Sequence, residues 1–529
     1  MLFNSQEFLF VFLPVTLLGF YLLGPIARQW AILWLILMSL VFYGWWRPLN
    51  ILIIGPSIIV NYFVASFVLR LSQRGDQPGL SRAVLLAGVL FNVAFLGFFK
   101  YTDFVYGAIN DAFGANLTLL HIILPLGISF ITFQKIAFLI DVQAGRVKAF
   151  TFREYCTFVL FFPQLIAGPI VHYREMMPQF AAATCRFDKE NFGVGLTLLF
   201  FGLFKKAVLA DNIAPLVTPI YEHSAAAGHT PFLLAWLAAL GFTLQVYFDF
   251  SGYTDMALGL GRFFGIKLPP NFNSPLKASS IIDFWLNWHM TLTRFLTAYI
   301  YNPLVLGLTR RRVAKGQPGF GGRNPPVAAF VSLLIVPLMT TMFISGLWHG
   351  AGYGFIIFGL MHGVYLVINH GWRVYAAHRW RDRAAYARAM KPVGFVLTFV
   401  AVMIAMLFFR ATTVRSAVDL AKGAFGLNGI SMPHGAAAIA STYGTDIEKA
   451  VMWVAVLLFI ALICPNTLQI LAPYEPALGV KPASTAPIIG GLRIPAWGPS
   501  LPWAVAISVI AAVAVFSTGG PSEFLYWQF

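Results

Sequence analysis

The chain has 529 residues, of which 59% are apolar and only 11% are charged. Soluble domains carry about 25% charged residues, so this composition excludes a soluble protein. It also excludes a disordered chain, because disorder requires low hydrophobicity. The 36 Lys and Arg exceed the 20 Asp and Glu and give a net charge of +16. Basic residues gather in the cytoplasmic loops of membrane proteins, so we assign this excess to topology and expect no nucleic-acid partner.

Long apolar segments predict many membrane spans, because a spanning helix needs roughly 20 apolar residues. The segments near this length are 8–25, 29–46, 50–69, 83–99, 118–140, 192–210, 231–250, 327–347, 351–370, 393–409, 451–472 and 502–517. The run 155–170 contains Pro163, Gly168 and Pro169, so we expect a broken or re-entrant helix there. The prediction is an all-α, polytopic membrane protein with roughly 11 to 13 spans, forming one domain over 1–529.

Three clusters of basic residues set the predicted orientation, since Lys and Arg favour the cytoplasmic side. The clusters are Arg70, Arg74 and Arg82; then Arg310, Arg311, Arg312, Lys315 and Arg323; and finally Arg373, Arg379, Arg381, Arg383, Arg388 and Lys391. Two apolar runs, 327–347 and 351–370, separate the second cluster from the third. The joint between those runs, Trp348-His349-Gly350, is therefore predicted to lie away from the cytoplasmic face.

Polar residues inside an apolar chain are costly and are often functional. Gln245 and Asp249 are four residues apart and share a helix face. One interpretation is hydrogen bonding between helices, which Gly252 and Gly259 favour by permitting close packing. The other is a proton or ion site. We favour the structural interpretation, because carboxylates alone define no reaction.

The segment 271–294 is amphipathic and too polar to span a membrane. Prolines 269, 270 and 275 prevent it from forming one continuous helix. We expect a membrane-surface or re-entrant helix facing a protein cavity. Asp283 and His289 are six residues apart, so they do not pair along one helix face.

His349 lies between Trp348 and Gly350 at the joint of two apolar runs. On the residues alone, a structural role for such a histidine is favoured over catalysis. Catalysis is the alternative, because imidazole suits proton transfer near neutral pH and the glycine lets another group approach closely. The sequence lacks an H-E-x-x-H zinc motif, a G-x-S-x-G elbow, a Walker loop and a dinucleotide fingerprint. We therefore predict no metal site and exclude soluble hydrolase, ATPase and dehydrogenase functions.

Several blocks together resemble the membrane-bound O-acyltransferase family, in its alginate O-acetyltransferase membrane-subunit branch. These blocks run along the whole chain, from Pro125–Gln134, Phe161–Pro169, Gly202–Lys206 and Tyr247–Asp255 to Asn271–Pro275, Asp283–Trp285, Trp288-His289, Gly346–Gly350, Phe408–Arg410 and Phe524–Phe529. The resemblance implies a transferase built around a tunnel, with its histidine-containing core at about 118–370. It implies that His349 is the catalytic histidine and that His289 supports it.

Acyl transfer to a hydroxyl group needs a base and donors for the developing oxyanion. His349 is the expected base, and Asn287, Trp348 or His289 the expected donors. Asp283, Trp285, Asn287, Trp348 and Asn271 are expected to position the substrates. No serine or cysteine shows a nucleophile–base pattern, so direct transfer is simpler than a covalent enzyme intermediate.

The donor implied by the resemblance is acetyl-CoA or a similar thioester, with no permanently bound cofactor. It is expected to enter from the cytoplasm, where Arg310, Arg311 and Arg312 attract its phosphates. The acceptor is a hydroxyl on a periplasmic partner protein or on an exopolysaccharide such as alginate. The chain is then expected in the lipid bilayer of a bacterial inner membrane.

Two other functions stay open at this point. Within the same family, the acylated polymer is alternatively peptidoglycan, cellulose or teichoic acid. A transporter for lipids or glycans would also need many spans and buried polar groups. We rank it lower, because no internal repeat of the kind found in many transporters is visible.

Overall fold

A computed structural model describes residues 1–75, 77–183, 185–321, 325–380, 382–431, 435–481, 488–489, 492–493, 496–519 and 525. Arg323 and Arg381 of the basic clusters lie outside the described residues. So does the terminal block Phe524–Phe529, except for Leu525.

The described residues form an almost entirely helical protein, which confirms the predicted fold class. Eight helices are long and apolar enough to cross a membrane: Leu49–Arg74, Pro78–Phe113, Lys189–Ala226, Phe232–Phe263, Val327–His349, Tyr353–Ala376, Arg383–Arg410 and Leu501–Gly519. Two shorter apolar helices precede them at Phe8–Leu23 and Arg28–Gly44. This is a multi-pass membrane protein.

Shorter elements connect these helices. They are the helices Ile128–Gln143, Phe152–Leu160, Phe162–Leu165, Tyr173–Ala182, Ile281–Asn287, Met290–Leu296, Asn302–Ala314, Val414–Ala424, Ala436–Tyr443, Ile447–Leu462 and Thr467–Ile470, with single 3₁₀ turns at Pro275–Lys277 and Ala472–Tyr474. Ile488–Ile489 and Leu492–Arg493 pair as a minimal antiparallel ladder. Phe152–Leu160 and Phe162–Leu165 form the broken helix expected within 155–170.

The apolar run 118–140 does not form the spanning helix that its length suggested. Its helix begins only at Ile128, and thirteen of the sixteen residues in Ile128–Gln143 are buried. The run 451–472 likewise contributes a helix of only sixteen residues, Ile447–Leu462. Ile128–Gln143 is thus an interior helix, which hydropathy does not distinguish from a helix that faces lipid.

The most buried long helix, Phe232–Phe263, packs along Lys189–Ala226. A methyl group on Gly202 would lie 2.4 Å from the carbonyl oxygen of Gly252, so only glycine permits this approach. Beside this contact, Lys206 pairs with Asp249 at 2.8 Å. These contacts agree with the structural interpretation of the polar run, with Lys206 rather than Gln245 as the partner of Asp249.

The helix Val327–His349 packs against Tyr353–Ala376 through another glycine contact. A methyl group on Gly346 would lie 2.4 Å from the carbonyl oxygen of Phe355. Near the start of the first helix, Arg312 donates to Ser332 Oγ at 3.1 Å. The helix has 23 residues, which at 1.5 Å per residue is about 34 Å. His349 therefore lies about one membrane thickness from the Arg310–Arg312 cluster.

Candidate functional site

The C-terminal end of the Val327–His349 helix is held by two polar side chains from Pro78–Phe113. Lys100 Nζ donates to the carbonyl oxygen of Trp348 at 2.5 Å, and Tyr101 OH donates to that of Leu347 at 2.6 Å. The last carbonyls of a helix have no partner within the helix, and cations are favoured at this end. Lys100 and Tyr101 thus fix the turn from which His349 projects.

Three buried rings form a continuous row beside this turn. The centroids of His289 and Trp348 are 5.6 Å apart, and those of Trp348 and His349 are 5.0 Å apart. Their exposures are 0%, 4% and 3%. The structure therefore brings together the two histidines that the sequence singled out, with Trp348 between them.

His289 lies at the break between the short helices Ile281–Asn287 and Met290–Leu296. Its φ of 45° is in the left-handed region, so the backbone reverses there and directs the imidazole inward. Asn271 Oδ1 lies 3.2 Å from His289 Nδ1 and accepts the Thr291 hydroxyl at 2.6 Å. An acceptor oxygen at this distance favours the tautomer in which Nδ1 carries the proton.

Burial also lowers the pKa of His289 to about 3, because a buried imidazolium loses its hydration. The side chain is therefore neutral at physiological pH. A neutral imidazole at this position can donate or accept a hydrogen bond without adding charge to the site.

Aromatic rings close the remaining sides of His349. Phe409 and Phe358 approach it edge to face, with centroid separations of 5.2 Å and 5.8 Å. An apolar enclosure of this kind strengthens hydrogen bonds and charge interactions, because it excludes water. This is a suitable environment for stabilising a developing charge.

His349 and Trp348 line a cavity of about 270 Å³, which we call the His349 cavity. Its wall comes from the start of Leu49–Arg74, from 123–130, and from Ile166 and Ala167. The helix Leu49–Arg74 carries Arg70 and Arg74 at its other end. The His349 cavity therefore lies at the other end of this helix from the first basic cluster. It also lies at the other end of Val327–His349 from the second basic cluster.

A second cavity of about 800 Å³, here the Trp285 cavity, lies on the other side of the His289 turn. Its wall includes Trp285, Thr291, Arg294 and Asn302. Asn302 begins the helix that ends in the Arg310–Arg312 cluster. The two cavities share no lining residue. Thr291, two residues after His289, lines the Trp285 cavity, and Trp348, whose ring contacts His289, lines the His349 cavity.

Several predicted positioning residues serve the local backbone. Ser280 caps the helix Ile281–Asn287 by accepting the Asp283 N–H at 3.1 Å, and its hydroxyl donates to the Asp283 carboxylate at 2.7 Å. Asn287 Nδ2 donates to the Asp283 carbonyl at 2.8 Å. Trp285 Nε1 donates to His362 Nδ1 at 3.2 Å. Asp283 and Asn287 thus build the short helix, whereas Asn271, Trp285 and Trp348 line the ring row or the cavities.

The three predicted donor-attracting arginines differ in their surroundings. Arg312 donates through Nε and Nη2 to the Pro318 carbonyl at 3.0 Å and 2.9 Å, so it fastens its own loop. Arg310 and Arg311 are exposed. They are able to attract an anion over a distance, but they lie far from His349.

Sequence reasoning missed Lys100 and undervalued His362. Lys100 is a cation in the middle of the apolar helix Pro78–Phe113, which was a usable signal because intramembrane charges are rare. His362 accepts a hydrogen bond from Trp285, which lies 77 residues earlier in the chain. No spacing rule reveals such a contact. In the part of the chain that the structure describes, no three His, Cys, Asp or Glu side chains form a group suited to a metal ion.

Comparison with known proteins adds independent information. The model of the membrane-bound O-acyltransferase family matches residues 145–317. A peptidoglycan O-acetyltransferase from Helicobacter pylori is 40% identical over 82% of this chain and 81% of its own length. A probable alginate O-acetylase from Pseudomonas aeruginosa is 36% identical over 79% of this chain and 73% of its own length. A teichoic acid D-alanyltransferase from Streptococcus thermophilus is 30% identical over 54% of this chain and 68% of its own length.

Proposed function

This chain belongs to the membrane-bound O-acyltransferase family and is an O-acyltransferase, and we propose that it transfers an acetyl group across a bacterial inner membrane. The donor is a thioester such as acetyl-CoA on the cytoplasmic side. The acceptor is a hydroxyl group on the outer side, belonging to an envelope polysaccharide or to a periplasmic partner protein that passes the acetyl group on.

The observation that carries this proposal is the row His289–Trp348–His349. Trp348 and His349 line the His349 cavity, and Met290 and Thr291, which follow His289 along the chain, line the Trp285 cavity. The Trp285 cavity adjoins the helix that bears the basic cluster, and the His349 cavity lies at the opposite end of Val327–His349. Basic clusters favour the cytoplasm. Donor and acceptor therefore approach one histidine site from opposite faces.

In the proposed reaction, His349 takes the proton from the acceptor hydroxyl while that oxygen attacks the thioester carbonyl carbon. The carbonyl becomes an oxyanion, for which Trp348 Nε1 is a suitable donor, because it is buried and has no hydrogen-bond partner among the described residues. Collapse of this intermediate breaks the carbon–sulfur bond and forms the ester. The thiolate leaves and takes the proton from His349.

The Trp285 cavity suits the donor, because its 800 Å³ lies within the range of small-molecule sites, about 300–1,000 Å³. Exposed Arg310 and Arg311 add a positive field at this face, which attracts the phosphates of a CoA ester. Arg294 also lines this cavity, but Glu175 pairs with it at 2.9 Å. We therefore assign phosphate attraction to Arg310 and Arg311.

The names of the relatives favour an envelope polymer as the eventual acceptor. An alginate-like exopolysaccharide is one candidate, supported by the 36% identity to the probable alginate O-acetylase. Peptidoglycan is a second candidate, supported by the 40% identity to the peptidoglycan O-acetyltransferase. Both require the same ester-forming step at His349.

The direct test uses purified protein in detergent, labelled acetyl-CoA and oligosaccharides from each polymer, with and without a periplasmic extract. We expect His349→Ala to fold and to lose acetyl transfer, because it lacks the base. His223→Ala is the matched control and should stay active, since His223 contacts the Tyr443 ring edge to face and lines neither cavity. Equal transfer by the native chain and His349→Ala would reject His349 as the base.

A further inference from the structure

We propose that the His349 cavity is a binding site for an acidic saccharide, in which Arg47 and Lys100 hold the anionic group and His349 faces the hydroxyl. This inference rests on the proposed function, because it names the class of acceptor that enters the same cavity. It adds Arg47 and Lys100 as residues that recognise the acceptor, and it requires the acceptor to carry a negative charge.

The first support is the charge of the cavity wall. Two basic side chains, Arg47 and Lys100, contribute to it, and none of its lining residues is acidic. The wall also holds the aromatic side chains of Tyr43 and Trp46. Cationic groups with aromatic surface and no competing carboxylate suit an anion carried on a sugar ring.

The second support is that Lys100 has no anionic partner among the described residues. Its Nζ donates to a neutral carbonyl, that of Trp348, and an ammonium group has three donors. Asp103 lies one turn further along the same helix, but its carboxylate accepts the backbone N–H groups of Leu120 and Ile122 at 2.7 Å and 2.9 Å. Lys100 therefore has unused hydrogen-bond donors beside the cavity.

The third support is the membrane side on which these cations lie. Arg47 precedes the helix Leu49–Arg74, whose far end carries the cytoplasmic Arg70 and Arg74. Within the described residues, Arg47 makes no ion pair and no side-chain hydrogen bond. Basic residues are disfavoured on the outer side. Topology therefore explains the cytoplasmic clusters but gives no reason for Arg47 and Lys100.

The fourth support is a buried polar atom that needs a partner. Asn50 lines the cavity, is only 7% exposed, and its Oδ1 accepts no hydrogen bond from the described residues. Buried polar atoms in native proteins are nearly always paired. A sugar hydroxyl is a donor that would satisfy Asn50 Oδ1, whereas a bare anion would not.

The volume limits how much ligand can enter. At about 270 Å³, the cavity lies just below the usual range for drug-sized ligands, about 300–1,000 Å³. It therefore suits one sugar unit of a chain, with the rest of the polymer outside. His349 would then meet a hydroxyl of that unit while Arg47 holds its acidic group.

The test measures both binding and turnover with three trisaccharides: an oligouronate, its carboxyl-reduced neutral form, and a phosphorylated form of the neutral one. We expect native protein to use at least one acidic form with a KM about tenfold below that of the neutral form, since hydrogen bonds to charged groups are stronger than those to neutral groups. Arg47→Gln should remove this preference by raising the KM of the acidic form. The preferred acidic form would distinguish a carboxylate from a phosphate ligand.

Arg415→Gln is the matched control, because Arg415 is exposed, belongs to no cavity wall and loses the same charge; it should keep the preference. Binding of the same probes to His349→Ala separates recognition from catalysis. Equal affinity for acidic and neutral forms would overturn the proposal, and so would acetylation of a protein partner with no saccharide binding. A native chain that transfers no acetyl group but binds the acidic form tenfold better would instead reject the proposed function alone.

Discussion

His289 acts in this site as a neutral group whose orientation is set by its neighbours. Asn271 holds Nδ1, the left-handed backbone turns the ring inward, and Trp348 lies against its face. A second charged group so close to His349 would compete with proton transfer there. We infer that His289 supports the reaction by position and hydrogen bonding.

This neutrality has a consequence for stability against pH. Histidine has a pKa of about 6.5 when unfolded, whereas burial lowers the pKa of His289 to about 3. Between these values the unfolded chain binds a proton that the folded chain does not, so the free energy of unfolding falls as pH drops through this window. We expect the melting temperature in detergent to fall less between pH 7 and pH 5 in His289→Gln than in the native chain. Equal slopes for the two proteins would show that His289 is not buried in its neutral form.

The main residue roles were partly accessible from the sequence. Trp348-His349-Gly350 stands out as a polar joint in an apolar stretch, and the resemblance singled out His289. In the sequence, Asp283 and Asn287 resemble site residues. In the structure, their side chains form hydrogen bonds within the short helix that ends before His289. The sequence alone does not distinguish a polar residue that bonds to the backbone from one that binds substrate.

At the scale of helices, the site depends on how closely Val327–His349 and Tyr353–Ala376 approach. Gly346 and Gly359 lie against each other at the crossing, with no space for a side chain on either. The same crossing sets the position of His349, three residues after Gly346, and of His362, three residues after Gly359. Small shifts of one helix would therefore move both imidazoles.

Gly346→Ala tests this dependence. The added methyl group would lie 2.4 Å from a backbone oxygen that cannot rotate away, and overpacking typically costs about 1–3 kcal/mol. We expect a lower melting temperature and a reduced kcat. Gly97→Ala is the control, because a methyl group there meets nothing within 4 Å, and alanine favours the helix. If both variants melted like the native chain, the close crossing would not be what positions His349.

Helix existence was predictable from apolar length, and helix burial was not. Phe232–Phe263 and the run at 118–140 look similar in hydropathy. One is a long interior helix with ion pairs to Lys205 and Lys206, and the other begins helical structure only at Ile128. Contacts between distant segments decide where a helix begins and how deeply it is buried. No local pattern in a single sequence records those contacts.

Over the whole molecule, charge divides the protein into two faces. The Arg310–Arg312 cluster lies near the end of the helix that begins at Asn302, in the wall of the Trp285 cavity. At the other end, only Arg47 and Lys100 are positive in the wall of the His349 cavity. The net charge of +16 therefore includes cations at both ends of the long helices, and Arg47 and Lys100 are those in the wall of the His349 cavity.

The central claim, transfer from one face of the membrane to the other, is tested most directly by sidedness. Native protein is reconstituted in one orientation in sealed vesicles, with labelled acetyl-CoA on the face of the Arg310–Arg312 cluster and the acidic oligosaccharide on either face. The account predicts acetyl ester only when the acceptor is on the opposite face, and none with His349→Ala. Equal labelling of an acceptor on the same face as the donor would contradict it.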